Sequence, residues 1–72
     1  MRPIRQRPAW QVKDLLRRAG TSQQDIAARL HLSQSFVSHT INRGPGGLAE
    51  KKERVWQEIE RATAALMAEA EA

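Results

Sequence analysis

Residues 23–42, QQDIAARLHLSQSFVSHTIN, constrain the fold more tightly than any other stretch of the chain. Ser22 is placed to cap a helix whose apolar positions, Ile26, Ala27 and Leu30, share one face. Asp25, three residues beyond that cap, can bond back to it as a capping box. His31 and Leu32 interrupt the pattern, and Ser33 is placed to cap a second helix from Gln34 to about Asn42. Ala27 is small where two crossing helices need close approach, and Val37 anchors the second helix. The opposite face carries Gln34, Ser35, Ser38, His39 and Asn42. Amides and hydroxyls gathered on one side of a short helix match the donors and acceptors that base edges offer in a major groove. The pattern is a helix-turn-helix.

The rest of the chain also reads as helical. A first helix is expected from Ala9 or Trp10 to Ala19, with Val12, Leu15, Leu16 and Ala19 as its buried stripe. Trp10 falls at the edge of that stripe and reads as a core-edge residue. Lys13, Asp14, Arg17 and Arg18 take the wet face, and Gly20 supplies a left-handed stop. Upstream, Pro3 and Pro8 bias Arg2 and Arg7 towards extended backbone. Residues 1–8 therefore read as a non-helical basic arm. It is either a solvated tail or a segment that follows a phosphate strand or enters a narrow minor groove.

Arg43 to Gly47 form a loop, and a last helix should run from about Ala49 to near Glu71. Val55, Ile59, Ala62 and Leu66 alternate in steps of four and three, flanked by Trp56, Thr63 and Met67. The first half of this helix can pack on the helix-turn-helix, while the second half reaches beyond what the chain can cover. Trp56, Ile59, Ala62, Thr63, Leu66 and Met67 therefore read as the seam of a homodimer. The other possibility is that the helix folds back on its own domain, or frays after about Ala65. The expected organisation is one domain: an arm (1–8), a helix plus the helix-turn-helix (9–47), and a dimerisation helix (48–72).

Charge points to the partner. Residues 1–47 hold eight arginines and lysines against two carboxylates, a net +6. Residues 48–72 hold four against six, a net −2, which together make the chain's +4. The positive charge lies with the proposed reading helix, so a polyanion is the expected partner. With 72 residues and no cysteine, the chain suits neither a deep catalytic cleft nor a disulfide or thiolate metal framework. His31 and His39 lack partners for a metal site. No Ser/His/Asp set is present, and Gly44-Pro45-Gly46-Gly47 lacks the lysine of a phosphate-binding loop. No enzyme activity, cofactor, metal or membrane association is expected, and a cytoplasmic location is the default.

Residues 23–42 resemble the helix-turn-helix of the lambda-repressor-like superfamily. The likeness lies in the leading Gln23, in Ala27 and Val37 at the fifth and fifteenth motif positions, and in Gln34-Ser35 opening the second helix. Val37 to Asn42, with Arg54-Val55 and Ile59-Glu60, is similar in type and spacing to the lac-repressor headpiece. The helix before the motif looks more like small Ner and Cro-type phage regulators. The resemblance covers roughly residues 10–61. It implies an all-α fold, a four- to five-helix lambda-repressor-like domain with a long C-terminal helix. It also implies base reading by Gln34, Ser35 and His39, with Ser38 on the same face. Gln23, Asn42 and Arg43, together with Arg2, Arg5 and Arg7 of the arm, are the expected backbone contacts. Two positions depart from the family pattern. His31 replaces a glycine whose backbone tends to positive φ, and Thr40 replaces an aliphatic core residue. Phe36 either packs against the last helix or meets a thymine methyl.

The expected function is that of a sequence-specific, double-stranded DNA-binding transcriptional regulator. It would act as a small repressor or autoregulator, binding a palindromic operator as a homodimer without a small-molecule effector. A phage or mobile-element origin rests on analogy. The alternative is a helical protein-interaction module, an adaptor or antitoxin whose last helix grips a partner.

Overall fold

Side chains and backbone close the helix ends as the sequence suggests, and these ends set the geometry of the rest. The computed structural model describes residues 3–44 and 49–71. They form a short 3-10 turn (Ile4–Gln6) and four α-helices: α1 (Ala9–Arg18), α2 (Gln23–Leu30), α3 (Gln34–Arg43) and α4 (Glu50–Glu71). There is no strand among the described residues, so the fold is all-α. No helix among them is long and apolar enough to cross a membrane.

The capping box at α2 is complete. Ser22 Oγ accepts from the Asp25 N–H at 3.0 Å, and the Asp25 carboxylate accepts from the Ser22 N–H at 3.1 Å. Ser33 Oγ caps α3 by accepting from the Phe36 N–H at 3.1 Å. Such caps contribute about 1 kcal/mol each. At the other end of α1, Gly20 takes φ +76°, and the Gly20 and Thr21 N–H groups donate to the Arg17 and Leu16 carbonyls. The end of α2 repeats this pattern with a histidine. His31 sits at φ 56°, ψ 41°, and the Leu32 N–H donates to the Ala27 carbonyl at 2.9 Å. The positive φ expected at the turn is there, borne by a residue type that tolerates it.

One core joins Ile4, Val12, Leu16, Ile26, Ala27, Val37, Ile41, Val55, Trp56 and Ile59. Helix α4 packs against all three other helices. Two threonines are fully buried within this packing. Their hydroxyls are satisfied locally, since Thr40 donates to the Phe36 carbonyl and Thr63 to the Ile59 carbonyl, both at 2.8 Å. Thr40 therefore fills its core position without an orphaned hydroxyl. Phe36 is half-buried and packs against the core.

Three expectations are corrected. The dimer seam is largely the domain's own interior: Trp56, Ile59 and Thr63 are buried within the single chain, and Ala62 and Met67 pack against the core. Only Leu66 of that set, itself half-buried, is not part of the core packing. Helix α4 turns inward on residues 55, 59, 63 and 67. At about 100° per residue this fourfold spacing shifts the buried stripe about 40° each step, so it winds around the helix. Next, the arm expected to be non-helical carries a turn of 3-10 helix at Ile4–Gln6, held to the core by the buried Ile4, while Arg7 is extended as Pro8 requires. Finally, Trp10 stands 71% exposed rather than at the core edge.

The arm is also tied down by charge. Arg5 grips both oxygens of Glu53 at 2.7 Å and reaches Glu60 at 2.9 Å, all on α4. This pairing lowers the pKa of Glu53 and raises that of Arg5. Glu58 is bound by Arg61, its neighbour on α4, and by Arg29 of α2 at 2.9 Å. Hydrogen bonds from Arg61 and then Arg29 lower its pKa against the opposing effect of burial.

Two outcomes follow from this packing. Ile59→Ala should destabilise the domain by about 2–5 kcal/mol, read by denaturant or thermal unfolding at one protein concentration. A loss well below that range would show that Ile59 is not packed within the single chain. A carboxylate with a depressed folded pKa contributes stability above its unfolded pKa, and that contribution is lost as pH falls through the folded value. Thermal midpoints should hold between about pH 7 and 5 and then drop below about pH 4.5. In Glu58→Gln that acid drop should be shallower. An identical acid profile would show that the Arg29 and Arg61 pairing stores no stability.

Candidate nucleic-acid interface

Helix α3 divides cleanly around its axis. At about 100° per residue, Gln34, Ser35, Ser38, His39 and Asn42 occupy one arc of about 140°, and Phe36, Val37, Thr40 and Ile41 occupy the other. The structure follows this division. Val37, Thr40 and Ile41 are buried, while Gln34, Ser35, His39 and Asn42 are exposed and Ser38 is half-buried. The Ser33 cap starts the helix at Gln34, so Gln34 and Ser35 project from its first turn.

Gln23, at the start of α2, adjoins this face. Gln23, Gln34, Ser35, Ser38, His39 and Asn42 together line one shallow concavity of about 440 Å³. These are the four expected base readers and two of the expected backbone contacts. Among the described residues, no intramolecular hydrogen bond engages these six side chains, in contrast to the capping serines Ser22 and Ser33. Their donors and acceptors are turned to solvent and shaped by the crossing of α2 and α3. At ten residues α3 is about 15 Å long, and a major groove about 12 Å wide admits a helix.

The other expected contacts divide. Arg43 ends α3 and is exposed, within the helix's last turn but outside the concavity. Arg5 is occupied by Glu53 and Glu60, with its side chain only 25% exposed, so as a phosphate contact it is already committed elsewhere. Arg7 is half-buried. Arg2 lies outside the described residues. A second groove, of about 460 Å³, runs beside the face and brings in two cations from the wet face of α1. Lys13 and Arg17 of α1 line it together with Gln23 and Gln34. Their i, i+4 spacing was visible in the chain, but their position beside α2 depends on how α1 crosses the motif. No protein family, curated protein or solved structure matches this chain.

Proposed function

We propose that this domain is a sequence-specific double-stranded DNA-binding regulator of the helix-turn-helix type, with α3 as its reading helix. The observation that carries this reading is the convergence of Gln23, Gln34, Ser35, Ser38, His39 and Asn42 on one unpartnered concave face. The +6 charge of residues 1–47 supplies attraction to phosphate. Gln34, in the first turn, has the amide geometry for a paired contact with adenine. Ser35, Ser38 and His39 follow along the same arc, and Gln23, Asn42 and Arg43 flank it on the backbone side.

Two copies on a palindrome complete the proposal. The domain measures 33 × 24 × 18 Å, so neighbouring copies fit on half-sites spaced about 34 Å apart, one DNA turn. Leu66, with exposed Ala65 beside it, is what remains of the apolar strip for such pairing. Bound at a promoter, the pair would exclude polymerase and act as a repressor or autoregulator in the cytoplasm. The adaptor alternative relied on a gripping face of α4, and most of that face is spent on the domain's own core.

Gln34→Ala should lose about 1–3 kcal/mol of discrimination among duplexes recovered by selection from random sequence, while nonspecific binding at low salt stays near wild type. Unchanged selectivity would remove Gln34 as a reader, and no duplex binding at low salt would remove the function. Leu66→Glu should abolish cooperative occupancy of a two-half-site duplex and keep single-site binding, as read by sedimentation of the complexes. Cooperative binding that survives this change would place the contact between copies elsewhere.

A further inference from the structure

Trp10 is the one large hydrophobic side chain standing exposed among the described residues, at 71%. It has company of a particular kind. Trp10, Lys13, Asp14 and Arg17 fall at i, i+3, i+4 and i+7 on α1 and line one shallow recess. Lys13 and Arg17 also line the groove that reaches Gln23 and Gln34. Those two glutamines belong in turn to the reading face. An unbroken surface therefore leads from α3 across the start of α2 to the indole on α1.

The charge on this extension selects its occupant. Asp14 is held by Arg17 at 2.7 Å and by Arg18 at 3.1 Å. Lys13, Arg17 and the neighbouring Arg18, set against Asp14 and against Asp25 of the adjoining groove, leave a local net charge of +1. A second copy of the chain docking here about a twofold axis would set a positive face against a positive face. A nucleic-acid strand carries a phosphate charge at every nucleotide. In a duplex the bases are stacked away, and what passes this face is sugar and phosphate. An indole offers an apolar ring for a sugar and an N–H for a phosphate oxygen.

We propose that Trp10, Lys13 and Arg17 extend the duplex interface onto α1. Lys13 and Arg17 take phosphates of the strand beyond the base-reading site, and the Trp10 ring lies against a deoxyribose. This rests on the DNA-binding reading and adds to it a contact that raises affinity without reading sequence.

The two tryptophans make the test direct, because Trp56 is 2% exposed and the neutral quencher acrylamide reaches Trp10 selectively. The full chain is titrated with a random-sequence duplex of about two helical turns. Binding is followed by anisotropy of the end-labelled DNA. Saturation should sharply reduce acrylamide quenching. Trp10→Ala should weaken binding about fivefold or more, with an unchanged melting midpoint because the side chain is exposed. Lys13→Ala and Arg17→Ala should each lower the salt slope by up to about 0.9. If the duplex binds while Trp10 stays fully quenchable and the variants match wild type, the extension is overturned and the DNA-binding reading stands. If no duplex binds at low salt, both fall. Protection of Trp10 that grows with protein concentration without DNA would assign the face to a second copy and overturn the proposal.

Discussion

What α3 shows to solvent is set by what it buries. Val37, Thr40 and Ile41 lock one side of this helix into a core shared with α1, α2 and α4. That seam fixes the helix in rotation as well as position. A turn of one residue about the axis would move Gln34 and Ser38 by about 100° and bury an amide or a hydroxyl. Interior packing tolerates such shifts poorly, since close-packed side chains transmit strain instead of absorbing it. The polar concavity is thus held in shape by apolar contacts on the far side of the helix, and its own six polar side chains are left unspent.

Local features of this arrangement were legible in the chain, because each depends on neighbours in sequence. The Ser22–Asp25 box, the Ser33 cap, the stop at Gly20 and the positive φ at His31 are all short-range effects. The division of α3 into wet and dry arcs follows from the helical period alone. Thr40 is polar where the apolar face of α3 calls for an aliphatic side chain, yet a hydroxyl that can return to the carbonyl one turn back makes a tolerable core residue.

What stayed hidden depended on distant partners. Ile4 stands alone between two prolines, with no periodic neighbours to mark it as core. Arg5 reads as part of a basic arm until Glu53 and Glu60, 48 and 55 residues away, are set beside it. On α4 two apolar stripes overlap, one through residues 59, 62 and 66 and the other through 55, 59, 63 and 67. Only the position of α1, α2 and α3 decides between them. Trp10 falls at the edge of the α1 apolar stripe, and nothing in the local pattern says that α1 turns this position outward.

The clasp between Arg5 and α4 has a further consequence, concerning the order in which the domain can be completed. A chain emerging from its N-terminal end presents Val12, Leu16, Ile26, Val37 and Ile41 before the helix that covers them has been synthesised. Helices α1 to α3 meet through near neighbours in sequence and can assemble early, but they do so as an open cup. Ile4 and Arg5, made before the rest of the core, wait for Glu53 and Glu60, made after most of it. The ion pairs that look like surface decoration in the finished domain are thus the last stitch. They join its beginning to its final helix only when nearly all of the intervening chain is in place.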